Sequence, residues 1–73
     1  MPRLGVFSGE QIARIMESQG FMRVRQKGSH LIMQKKDQHT ITVPVPMHRE
    51  VRIGTLQSII RQSQLSKDLF TVQ

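Results

Sequence analysis

The sequence predicts an α+β fold: a two-layer domain in which two helices cover one face of a three-stranded antiparallel sheet, in the order α-β-β-β-α. A helical repeat of apolar residues from Ile12 to Met16, an alternating pattern from Met22 to Val45 and a second helical repeat at Leu56, Ile59 and Ile60 predict it. The 73 residues read as a single domain spanning positions 1–73. A chain of this size hides only roughly 60% of its extended surface on folding, so there is room for one compact core and one site.

The first helix is expected to start at Ser8. Its hydroxyl is placed to accept from the Gln11 amide, the Gln11 side chain to reach back, and Phe7 to staple onto Ile12. Ile12, Ile15 and Met16 fall at i, i+3 and i+4 and make the buried stripe, while Glu10, Arg14 and Glu17 face water. The helix runs to about Gln19, because Gly20 permits a left-handed stop and Phe21 is set to fold back toward Met16.

After Gly20 the period changes to two. Met22 and Val24 alternate with Arg23 and Arg25, Gln26-Lys27-Gly28-Ser29 makes a turn, and His30 to Lys35 forms the second strand of a hairpin. Lys36 to His39 is the next turn, and Thr40 to Val45 is a third strand whose Pro44 suits an edge or a strand end. Parity places Val24, Leu31, Met33, Ile41 and Val43 toward the helices. It leaves Arg23, Arg25, His30, Gln34, Thr40 and Thr42 on the other face, with Ile32 fitting poorly. Pro46 to Arg52 is a loop, and Gly54-Thr55 leads into the second helix. Ser66 to Phe70 predicts a capped turn that lays Leu69 and Phe70 over the core, with the last residues frayed.

Eleven Lys and Arg against five Asp and Glu give a net charge of +6. Between Phe21 and Lys36 lie Arg23, Arg25, Lys27, Lys35 and Lys36 and no acid, a local positive field that attracts polyanions such as nucleic acid. A solvated, lysine-rich sheet surface accounts for the charge equally well. Membrane binding is not expected, since the cations are not interleaved with apolar anchors on a helix. No stretch approaches the roughly 20 apolar residues of a bilayer span, which with the short polar start of the chain points to the cytoplasm. The sequence has no cysteine, so disulfides, thiolate metal sites and thiol nucleophiles are excluded.

The acids Glu10, Glu17, Asp37, Glu50 and Asp68 are scattered, which speaks against a two-metal nuclease. His30, His39 and His48 lack the close helical spacing of zinc ligands, so neither metal nor cofactor is expected. Histidine is still the best candidate for acid–base work, because its ordinary pKa of about 6.5 leaves both protonation states accessible near neutrality. His30 stands out by context: it follows Lys27-Gly28-Ser29, where glycine allows close approach of a phosphate and lysine and serine supply donors, and parity sets it beside Arg23 and Arg25. Its position alone favours a half-exposed strand residue paired with a neighbour. His48, just ahead of Arg49, is placed to contact a phosphate or protonate a leaving oxygen, or to be structural; His39, in a polar turn, is given no role.

Gly20-Phe21, Lys27-Gly28-Ser29-His30, Val43-Pro44 with His48, Gly54-Thr55-Leu56 and Ile59-Ile60-Arg61 together resemble the HicA-like toxins of bacterial toxin–antitoxin pairs. The resemblance runs from about Ser8 to Phe70, in order and at plausible intervals. It implies an mRNA interferase with a double-stranded-RNA-binding-domain-like fold, held inactive by a HicB-type antitoxin made from the neighbouring gene. It implies that His30 is catalytic, with Gly28 and Ser29 shaping the start of its strand. Leu31 stands where some members carry a further histidine.

The expected activity is therefore metal-independent endoribonuclease action on mRNA, with His30 as general acid or base. Arg23, Arg25, Lys27, Ser29 and Lys35 are the candidate RNA contacts and His48 is an accessory candidate. The antitoxin is expected to cover the basic face or His30, and Ile32 if that residue is exposed. A noncatalytic RNA-binding module of the same fold is the alternative; it shares the charge and needs no histidine. A DNA-binding regulator ranks third, because strands separate the two helices and no helix-turn-helix results.

Overall fold

The computed structural model describes residues 3–72, which form β1 (Arg3–Leu4), α1 (Gly9–Ser18), β2 (Met22–Lys27), β3 (His30–Lys36), β4 (Thr40–Pro46), α2 (Ile53–Ser63), a 3-10 turn (Lys67–Phe70) and β5 (Thr71–Val72). The α-β-β-β-α order stands, with a two-stranded ribbon of β1 and β5 added to it.

Local signals set the ends of α1. Ser8 Oγ accepts from the Gln11 amide at 3.1 Å, and Ser8 N donates to Gln11 Oε1 at 2.9 Å, which satisfies two amides that the helix cannot. At the other end Gly20 has φ +97, its N–H donates to Glu17 O, and the Phe21 N–H reaches back to Met16 O, a Schellman stop. Phe7 is partly buried against the core cluster that contains Ile12. Its ring also meets Phe70 edge-on, with centroids 6.1 Å apart, because the 3-10 turn carries Phe70 fully under the core at that place.

The sheet is antiparallel in the order β2-β3-β4. A two-residue loop, Gly28-Ser29, closes the first hairpin, with Lys27 opposite His30. Positive φ at Gly28 (+61) and not at Ser29 is the pattern of a type II′ turn, which matches the twist of the flanking strands. β4 carries Pro44 and Pro46 on an edge. The Met47 amide donates inward to Ser29 O, so the odd-numbered amides face β3 and both prolines fall where no ladder bond is lost.

The core lies between the helices and one sheet face. Ile12, Ala13 and Met16 from α1, Leu56 and Ile59 from α2, Leu31 and Met33 from β3, and Val43 and Val45 from β4 are buried, with Phe21, Val51 and Phe70 closing the ends. Each large side chain among these contributes roughly 1.5–3 kcal/mol of apolar burial.

Strand β2 departs from simple alternation. Arg23 pairs with Met33 but Arg25 pairs with Ile32, so one extra residue, Val24, bulges out and the faces exchange across it. Opposed residues share a face, hence Arg23 lies with Met33 on the helix side and Arg25 with Ile32 on the open side. Two expectations change for this reason: Val24 is 48% exposed rather than in the core, and Arg23 is not beside His30. Ile32, half-buried between Arg25 and Pro44, belongs to the open face. At the C-terminal end Leu69 stays exposed while Phe70 is buried, and Thr71–Val72 are not frayed but paired with Leu4 and Arg3. Gln73 lies outside the described residues.

Candidate nucleic-acid interface and catalytic centre

His30 is the first residue of β3 and is exposed, with Lys27 on one side of it and Pro46 on the other. Lys27 is therefore its cross-strand neighbour on the open face, and Arg25 sits on the same face one pair further along with Ile32. Ser29 holds the other side of the loop: its carbonyl accepts from the Met47 amide at 2.7 Å, which fastens the end of β4 to the hairpin. Beyond Met47 the chain is held a second time, where the Gly9 amide donates to His48 O at 2.9 Å.

These two bonds bring His48 to the rim of a concavity of about 380 Å³ that His30 also lines, together with Pro46, Glu50, Val51, Arg52 and Thr55. Two histidines 18 positions apart in sequence thus face one hollow. Gly9 is what lets the segment approach: a Cβ there would stand 2.2 Å from Pro46 O and 2.8 Å from Met47 Cα. Glycine in the first helical turn is poor helix chemistry, and that local cost is the mark in the sequence of a close approach.

The start of α2 opens on the same hollow. Arg52 is its N-cap and makes no side-chain cap bond; the first amide to find an intrahelical carbonyl is Leu56, which donates to Arg52 O. The amides of Ile53, Gly54 and Thr55 are left for solvent or an anion at the positive end of the helix. Sequence reasoning assigned Arg52 no role and Thr55 none beyond its place in Gly54-Thr55-Leu56, because the loop fold that brings both to the hollow lined by His30 has no local signature.

Two candidate contacts lie elsewhere. Arg23 is locked to α1: Nη1 and Nη2 donate to Glu10 Oε1 and Oε2 at 2.9 and 2.6 Å, and Nε and Nη2 donate to Glu17 at 3.2 Å each. Hydrogen bonding to Arg23, aided by Arg14, holds the Glu10 carboxyl at about 2, and the same carboxylates raise the Arg23 pKa. Lys35 pairs with Ile41 on the helix side, near Gly20, and lines a separate hollow with His39 and Gln64. Five residues along a strand amount to about 16 Å, so Lys35 and His30 are not neighbours. Arg25, Lys27 and Arg52, by contrast, have no carboxylate within salt-bridge distance among the described residues. No group of three His, Asp or Glu among the described residues is placed to hold a metal ion.

Comparison with family models matches residues 9–65 to the family described as HicA toxin of bacterial toxin–antitoxin. This chain belongs to the HicA toxin family. The matched stretch of this HicA chain covers both helices and all three strands of the sheet, and with them His30, His48 and the whole hollow between them. Membership makes it a toxin component of a toxin–antitoxin system, a class whose members work against an antitoxin partner. No curated protein and no solved structure matches it. No helix among the described residues is long and apolar enough to cross a membrane.

Proposed function

We propose that this HicA-family chain is a metal-independent endoribonuclease that cleaves mRNA in the cytoplasm and is neutralised by a HicB-type antitoxin. The observation that carries the reading is the convergence of His30 and His48 on one hollow, with Arg52 and the open end of α2 beside them. RNA supplies its own nucleophile. One imidazole takes the proton of the 2′-OH, the 2′-oxygen attacks the adjacent phosphorus, and the P–O5′ bond breaks as the other imidazole protonates the leaving 5′-oxygen. The products are a 2′,3′-cyclic phosphate and a 5′-hydroxyl end, and no metal or redox partner is needed to balance the step. Charge building on the non-bridging oxygens is met by Arg52 and the free amides of Ile53 to Thr55. Arg25, Lys27 and Ser29 extend the phosphate track along the open face; Arg23 and Lys35 are not part of it.

The test is cleavage of a defined RNA in EDTA by wild type, His30→Ala and His48→Ala, with folding checked by circular dichroism. Cleavage by wild type, lost by about 10²-fold or more in His30→Ala, is the expected result for a group that moves a proton in the transition state. Intact RNA with equally tight binding in all three proteins would leave a noncatalytic RNA-binding module.

A further inference from the structure

We propose that the outer edge of β2 is a docking strand for an extended acidic segment of the antitoxin. This rests on the partner reading above and is independent of the catalytic one. The sheet has two edges, and they differ. β4 presents Pro44 and Pro46 outward, which removes two donors from its free side. β2 has no proline, and all six of its residues are exposed. Because a two-residue loop closes on the hydrogen-bonded pair Lys27–His30, the N–H and C=O of Gln26 point away from the sheet and have no strand to meet.

Met22 and Val24 on this edge favour a protein over a nucleic acid. Met22 is 70% exposed and, with Arg23, Val24, Gln34 and Lys36, lines a hollow of about 240 Å³ at the outer end of the strand. An apolar side chain of a partner fits there, whereas a phosphate backbone gains nothing from Met22 or Val24 and has no N–H to donate to the outward carbonyl of Gln26. Arg25 and Lys27 exclude a second copy of this chain, since edge-to-edge pairing would set cations against cations. They favour carboxylates instead. On an added strand the residues facing Arg25 and Lys27 are two apart, so the segment carries acid-x-acid with an apolar residue beyond it toward Met22. Such a strand would extend the sheet in its own plane, with β2 between it and β3, roughly 9–10 Å from His30, and it would engage the Arg25 and Lys27 side chains that RNA would otherwise use.

The experiment is amide hydrogen exchange on the chain alone, in complex with the antitoxin of its gene pair, and with an RNA made uncleavable by 2′-deoxy substitution, joined to affinity measurements on Gln26→Pro. Proline at an outward-facing edge position leaves the β2–β3 ladder whole. The expected result is that the Gln26 amide is slowed by the antitoxin and not by RNA. Gln26→Pro then melts like wild type, keeps its RNA affinity, and binds the antitoxin about tenfold more weakly or worse. A stable complex in which Gln26 exchanges as freely as in the lone chain overturns the edge proposal and leaves the partner reading intact. Failure to form any complex overturns both, and equal protection of Gln26 by RNA assigns the edge to RNA and overturns it as well.

Discussion

Arg23 grips Glu10 with two parallel hydrogen bonds, of 2.9 and 2.6 Å, and reaches Glu17 with its remaining donors. The arginine that stands first in the basic run of the sequence is thereby neutralised against α1 and ties the edge strand β2 to the helix layer. Arg23→Ala is expected to lower the unfolding midpoint while leaving RNA affinity and its salt dependence unchanged. Lys27→Ala and Arg25→Ala are expected to do the reverse, each reducing the slope of log K against log salt by about 1. Fluorescence anisotropy with an uncleavable RNA over a salt series reads both. A reduced slope for Arg23→Ala would place that side chain on the RNA after all.

The same cluster adds a pH-dependent contribution to stability. Glu10 titrates at about 2 in the folded protein against an ordinary value of 4.5. A carboxyl with a depressed folded pKa contributes stability that is complete above its unfolded value and is lost as pH falls toward the folded one. Urea midpoints should therefore fall between about pH 4.5 and pH 2, and Glu10→Gln should be less stable near neutrality and flatter across this window. Parallel pH profiles for the two proteins would show that the pairing does not persist in solution.

Gly9 and Gly54 make opposite predictions. Gly9→Ala drives a methyl group into Pro46 O and should cost about 1–3 kcal/mol, shift the amide resonances of Met47 and His48, and lower cleavage with them. Gly54 lies inside the first turn of α2, and a methyl group added there meets nothing within 4 Å, so Gly54→Ala should raise stability by about 0.5–1 kcal/mol. Thermal melts and two-dimensional NMR spectra of both variants decide it; a neutral Gly9→Ala would mean that α1 and the β4 end can move apart freely.

Helix α2 ends on a strained residue. Gln64 takes φ 61 at the C-cap, a conformation in which any Cβ is crowded. Gln64→Gly is expected to gain about 0.5 kcal/mol, the relief being partly offset by the greater freedom of glycine in the unfolded chain. Gln64→Val should lose stability, and denaturant midpoints of the pair give the sign.

Features written in neighbouring residues were legible. Ser8 with Gln11, Gly20 with Phe21, and Gly28-Ser29 between alternating runs fix their own helix ends and turn, and each appears where its local chemistry dictates. Contacts settled by packing were not. The bulge at Val24 has no glycine or other mark, yet it reverses the faces of β2 and separates Arg23 from Arg25. The edge-on contact of Phe7 with Phe70, 63 residues away, likewise has no mark in the residues around either ring. The candidate site shows the same division: His30 was legible through its loop, while its meeting with His48, Glu50 and Arg52 depends on Gly9 allowing α1 to press on the end of β4.

The short ribbon of β1 and β5 governs how the molecule answers to force. Arg3 faces Val72 and Leu4 faces Thr71, so the outward ends of both strands lie on the same side of the pair. Tension applied across Arg3 and Val72 opens this pairing one rung at a time, as a zipper, instead of shearing several bonds together. The load then reaches the Gly5–Phe70 bond and the Phe7–Phe70 ring contact before it reaches the three-stranded sheet.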